Sequence, residues 1–215
     1  MAAPDMPGRR ARKRAQTLDL LARTAMGLFE AQGYDAVTME QIAAGADVAK
    51  GTLYNHFPTK ESVLAHWIHM QLAADLAHLQ PEVEQQASFR PAISLLLDAS
   101  AAWCEAHRAY LSPYLRFRFL SLEAAPPPEE AEQASDMTDV LGLLIALGQR
   151  SGELRDDLDV AHLASLFHHL YLGALMRWLT LPGRTLREEF AVVVTLFVEG
   201  SARPLAPRAR RRKTP

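Results

Sequence analysis

The 215-residue sequence predicts an all-α protein, with a small three-helix domain at the N-terminus and a larger all-helical domain behind it, about nine helices in all. Three observations lead there. Apolar residues recur at three- and four-residue spacing through most of the chain, and from Ser88 onward there is no convincing alternation of strand type. Capping residues and breakers, among them Gly33, Thr38, Pro58, Thr59 and Pro182-Gly183, divide that pattern into segments of helix length. With 49% hydrophobic and 22% charged residues, the chain has ample apolar material for a core.

Residues 1–15 are expected to be a disordered basic arm carrying Arg9, Arg10, Arg12, Lys13 and Arg14. Helix 1 is predicted over about 17–32, with Leu18, Leu21, Ala25, Leu28 and Phe29 on one face. Gly33 is placed as its C′ residue, and Phe29 and Tyr34 sit where the apolar contact of a Schellman cap belongs. Thr38 and Gln41 form a capping box, in which each side chain satisfies the other's free backbone N–H, and Val37 with Ile42 makes a hydrophobic staple. A short helix should therefore start at Met39. It should stop near Ala46, because Asp47 tolerates a left-handed turn. After an inward Val48, a further helix runs over about Lys50–Phe57 until Pro58 ends it. Leu53 and Phe57 form its buried side and leave Gly51, Thr52 and Asn55 on the opposite one. Phe29, Ile42, Val48, Leu53 and Phe57 are the expected shared core of these three helices.

A short helix that presents small polar groups, with Lys50 at its start and Tyr54, His56 and Lys60 around it, suits insertion into the DNA major groove. The string T-x-x-x-I-A from Thr38, followed by V-x-K-G-T-L-Y-x-H-F-x-x-K-E from Val48, resembles the DNA-binding segment of the TetR family of bacterial transcriptional regulators. The likeness covers about residues 16–64, so residues 16–60 are expected to be a helix-turn-helix domain. Lys50, Gly51, Thr52 and Asn55 are the candidates for base contact, since asparagine can pair with adenine and lysine with guanine. Thr38, Tyr54, His56 and Lys60 are assigned to phosphates by residue type and by the family positions they match. Two positions depart from the family pattern: Asp47 stands where glycine is usual, and Ala49 where a serine or threonine usually caps the recognition helix. The basic arm either lies along phosphates or the minor groove, or is simply solvated.

Residues 61–201 are expected to form the ligand-binding and dimerisation domain. Thr59 can cap helix 4, which carries Val63, Leu64, Trp67, Met70 and Leu72 and should stop at Pro81. Helix 5 is predicted over about 89–107 and helix 6 over 109–122, before a break at 124–128. Helix 7 follows over 130–150, helix 8 over 159–180 and helix 9 over 185–200. Between Val160 and Leu181 the only formal charge is Arg177, and 190–198 has none. A helix apolar on every side must be covered on every side, so helices 8 and 9 predict a twofold interface. The resemblance implies the same, a homodimer built on a four-helix bundle. Trp103, His107, Tyr110, Tyr114, Phe117, Phe167, Tyr171 and Met176 supply aromatic walls and polar handles for a small-molecule pocket, although ordinary core would use the same residue types. Residues 202–215 are expected to be a disordered basic tail.

Charge is distributed unevenly. Residues 1–60 hold 8 Lys or Arg against 6 Asp or Glu, residues 61–200 hold 9 against 19, and residues 201–215 hold 6 against none, so the net −2 hides basic ends around an acidic middle. The single Cys104 excludes an internal disulfide. Without a signal sequence or a run of about 20 apolar residues, a soluble cytoplasmic protein is expected. No nucleotide-binding, zinc-protease or nucleophile-elbow sequence occurs, and the pairs His66/His69 and His162/His169 lack further ligands, so no enzyme, cofactor or metal site is expected. The reading that results is a sequence-specific DNA-binding regulator, a repressor released from a palindromic operator by a small, largely apolar ligand. An architectural DNA-binding protein and an all-helical enzyme are the alternatives.

Overall fold

A computed structural model describes residues 7–120 and 135–200. They form α1 (Pro7–Gln32), α2 (Met39–Gly45), α3 (Lys50–His56), α4 (Lys60–Glu84), α5 (Phe89–Ala106), α6 (Arg108–Leu120), α7 (Ser135–Ser151), α8 (Val160–Thr180) and α9 (Leu186–Gly200). Among the described residues the protein is all-α, as expected. The break at 124–128, the expected start of helix 7 and the basic tail lie outside them, as do residues 1–6 of the arm.

The helices divide into two compact units. One holds the described residues up to His78 and those from Ala106 to Leu120; the other holds Leu79–Glu105 and those from Ser135 onward. The chain crosses from one to the other within α4, again where α5 meets α6, and a third time between α6 and α7, rather than once near residue 60.

In the first unit, α1 starts at Pro7, ten residues ahead of the expected Thr17, so residues 7–15 are helical rather than disordered. Proline is well suited to a first helical position, and the arginines, lysine and alanines that follow are good helix formers. Thr17 sits inside the helix and its hydroxyl donates to the Lys13 carbonyl at 3.0 Å. Gly33 ends α1 at φ +86, with its N–H on the Phe29 carbonyl at 2.9 Å, and Tyr34 packs edge-on against Phe29 at 4.9 Å. Of the expected core, Phe29, Ile42, Leu53 and Phe57 are buried and Val48 is only half-buried; Leu21, Val63 and Leu64 are buried as well. At Gly45 a Cβ would come within 3.0 Å of Thr24 Cγ2, so glycine lets α2 lie close on α1. Pro81 does not stop α4, which continues to Glu84. Ala77 and Pro81 are both exposed, so water can take the carbonyl that the proline leaves without a partner.

In the second unit, Phe167 meets Phe197 edge-on at 4.9 Å and Phe89 at 6.2 Å, forming an aromatic centre among α5, α8 and α9. Gly148 on α7 passes so close that a Cβ would lie 2.7 Å from Leu154 and 2.9 Å from the Phe89 Cβ. Asp159 caps α8 by accepting from the His162 N–H at 3.0 Å. Thr185 and Glu188 form a capping box for α9, at 2.8 and 3.3 Å. The sole cation of α8, Arg177, pairs with the buried Glu189 of α9 at 3.1 Å. No described helix is long and apolar enough to cross a membrane.

Candidate nucleic-acid interface

The presentation of α3 begins with the cap of α2. Thr38 N–H donates to Gln41 Oε1 at 2.8 Å and Gln41 N–H to Thr38 Oγ1 at 3.3 Å, while Val37 and Ile42 are both buried beneath them. The box and staple fix the entry of α2. Its exit is set by Asp47 at φ +54, the one described non-glycine residue in the left-handed region, with the Val48 N–H returning to the Ala43 carbonyl at 3.0 Å. That turn aims α3.

On α3, Leu53 is fully buried and the C-cap Phe57 nearly so, which fixes the opposite face outward. Lys50, Gly51, Thr52, Tyr54 and Asn55 are all exposed, and a Cβ at Gly51 would meet nothing within 4 Å. Four groups chosen for base contact therefore share one accessible surface with little bulk. The N-cap Ala49 makes no side-chain bond to the first turn of α3. Ala49→Ser supplies that acceptor and is expected to raise stability by about 1 kcal/mol in a denaturant titration.

The phosphate candidates fare unequally. Tyr54 is exposed and His56 half-exposed on the same helix. Burial, and then the charge of Arg14, lower the His56 pKa below its ordinary value, so near neutral pH it can serve a phosphate as an uncharged donor. Thr38 is exposed, but its amide is engaged in the capping box and its hydroxyl donates to Gln41 Oε1 at 3.2 Å, so a phosphate contact requires that hydroxyl to turn away. Lys60 departs from the expectation most. Its ammonium donates to the backbone carbonyls of Tyr34 at 2.6 Å and Val37 at 3.0 Å, pointing into the domain rather than outward.

Glu40 was not foreseen at the interface. From α2 it pairs with Lys50 Nζ at 3.5 Å, and a bond to its own backbone N–H, then the Lys50 charge, hold its carboxyl below the usual range. Both side chains are well exposed, so the pair is weak and leaves Lys50 able to turn to a base. Glu40 and Lys50 are ten residues apart across a turn, so no helical periodicity could have paired them.

The eight residues expected to wall a ligand pocket divide between the two units. His107, Tyr110, Tyr114 and Phe117 belong to the first, where α6 packs on α4 and α1. Rings of Trp67 and His107 lie 5.5 Å apart, Tyr110 and Phe29 6.4 Å, and His69 Nε2 is 3.3 Å from the Tyr114 hydroxyl. Trp103, Phe167, Tyr171 and Met176 belong to the second. Phe167 has no exposed surface at all, so it is a core residue and lines no void that a water could enter. Met176 lies at 39% exposure on the outside of α8, which removes it from any interior wall. Tyr171 stacks on Phe190 at 5.1 Å, and its hydroxyl is 2.8 Å from Ser100 Oγ. Of the two histidine pairs, His66 bonds Asp19 at 3.2 Å and His169 bonds the Ser165 carbonyl at 2.7 Å.

The second unit has instead an open groove of about 500 Å³ between α8 and α9, lined mainly by Leu158, Leu163, Leu166, Leu170, Leu196 and Phe197. Leu166, Leu170 and Met176 on α8, with Val192 and Leu196 on α9, leave a large apolar surface open along both helices. This is the uncovered face that the composition of the two helices predicts.

Residues 21–66 match the model of the bacterial regulatory proteins of the tetR family. The chain is 47% identical over 62 residues to the transcriptional regulator TcmR of Streptomyces glaucescens, a match spanning 29% of this chain and 27% of that protein. It is 28% identical over 184 residues to the transcriptional repressor KstR of Rhodococcus jostii, covering 83% and 82%. In structure it is similar to the TetR-family repressor FadR of Thermus thermophilus in complex with lauroyl-CoA, with TM-score 0.68, 25% identity and coverage of 88% of this chain and 97% of that one. The exposed, capped and turned α3 lies inside the matched segment: over residues 21–66 the chain is similar to the bacterial regulatory proteins of the tetR family, and its helical fold is similar to that of a TetR-family repressor.

Proposed function

We propose that the protein is a homodimeric repressor whose two α3 helices read a palindromic operator and which a small, largely apolar ligand releases. The observation that carries this reading is the face of α3, where Lys50, Gly51, Thr52 and Asn55 stand exposed on a helix anchored by buried Leu53 and Phe57. Twofold symmetry sets the two helices in major grooves about one DNA turn apart, or a multiple of it. Tyr54 and His56, with the Thr38 hydroxyl once turned, hold the phosphates that fix the register. Asn55→Ala is expected to cost about 1–3 kcal/mol at its own base and to relax specificity there, as read by binding to operators varied one position at a time.

The open α8–α9 surface supports the dimer. For the effector, the lauroyl-CoA held by the similar FadR makes an acyl thioester the first class to try, since its chain offers the apolar surface that such a domain can bury. The test is titration of the protein–operator complex with lauroyl-CoA. Release is expected, and by reciprocity operator DNA must weaken thioester binding by the same factor. Unchanged operator affinity at saturating thioester would remove this class of effector.

A further inference from the structure

The loop between α1 and α2 carries main-chain carbonyls that no helix satisfies. Those of Tyr34 and Val37 both accept from the Lys60 ammonium, at 2.6 and 3.0 Å. The same ammonium lies 4.3 Å from the centroid of the Tyr34 ring. An ammonium has three N–H directions, and two carbonyls and a ring face use them. The next residue, Glu61, accepts from the Tyr34 hydroxyl at 3.1 Å. Consecutive residues of the first turn of α4 thus hold Tyr34 by its backbone, its ring and its hydroxyl. Burial, and then the Glu61 carboxylate, push the Tyr34 phenol above its ordinary range, so it stays a donor throughout the working pH.

What the clamp holds is the entry to the reading head. Val37 is the buried staple residue, and Thr38 follows it as the capping residue of α2. Releasing the Val37 carbonyl would loosen the point from which α2, the Asp47 turn and α3 take their direction. We propose that Lys60 is a positioning residue for operator reading, which aims α2 and α3 from inside the domain instead of contacting a phosphate. The proposal rests on the reading of α3 as the DNA-recognition helix.

The test compares the full-length protein with Lys60→Met, which keeps most of the stem, and Lys60→Gln, which keeps a donor without the charge. Circular dichroism shows which variants are folded, and Lys60→Gln carries the same comparison where Lys60→Met does not fold. Binding is measured to the operator recovered by selection and to random duplex, over a series of salt concentrations. A positioning role predicts that operator affinity falls on the order of tenfold while affinity for random duplex and the salt slope stay as in wild type. A phosphate-binding role predicts that both affinities fall together and that the slope drops by about 0.9 for each phosphate no longer neutralised, which would overturn the proposal. Unchanged operator affinity with only a lower melting temperature would overturn it too, leaving Lys60 a structural support.

Hydrogen exchange on the free protein supplies a readout that needs no DNA. Faster exchange at the Thr38, Gln41 and Ile42 amides in the variants is expected, and unchanged exchange there contradicts the clamp. If wild-type protein selects no operator, the regulator reading fails on that result, while the exchange data still decide whether Lys60 orders the loop.

Discussion

Substituting glutamate for both Leu170 and Leu196 is expected to yield a folded monomer that no longer binds the operator. The two leucines are 43% and 64% exposed on neighbouring helices, so a single subunit loses little when they become charged. In a twofold interface the same four carboxylates would be buried close together without partners, at a cost of several kcal/mol that an association resting on apolar contact cannot absorb. Each isolated recognition helix then binds one half-site without its mate. Sedimentation velocity at micromolar concentration, read alongside operator binding, decides it. A dimer that persists in the double variant would place the interface elsewhere.

Phe167→Ala is expected to destabilise the protein by about 3–5 kcal/mol in denaturant, among the largest effects any single truncation should have here. The ring has no exposed surface and meets Phe197 and Phe89 edge-on, so removing it leaves a cavity that the surrounding helices cannot fill. The same substitution separates core from pocket. A residue lining an effector cavity would change effector affinity while sparing stability, and a destabilisation below about 1 kcal/mol would return Phe167 to the pocket.

The local devices of the DNA-binding domain were legible because each depends on residues close in sequence. The Thr38–Gln41 box, the Val37–Ile42 staple, the left-handed Asp47 and the buried Leu53 all follow from short spacings. The faces of α8 and α9 were legible because their composition is extreme. The long start of α1 was missed because a run of arginines reads equally as a solvated arm or as a good helix. Pro81 was misread because a proline stops a helix only where its missing bond cannot be replaced, and exposure is not written in the sequence. The inward contacts of Lys60 were hidden for a related reason: its partners are backbone carbonyls 23 and 26 residues away. Residue type can suggest a phosphate, but it cannot reveal two carbonyls within reach of the same ammonium. The pocket residues were the least legible, since buried aromatics serve core and cavity alike, and Met176 proved exposed.

The central claim, that this is a sequence-specific regulator reading DNA through α3 of each of two subunits, is tested most directly by selecting bound sequences from random duplex DNA with the purified protein at about physiological salt. One enriched palindrome is expected, with half-sites about one helical turn apart or a multiple of it. Weak, strongly salt-dependent binding with no sequence enriched would contradict the account and leave an architectural DNA-binding protein.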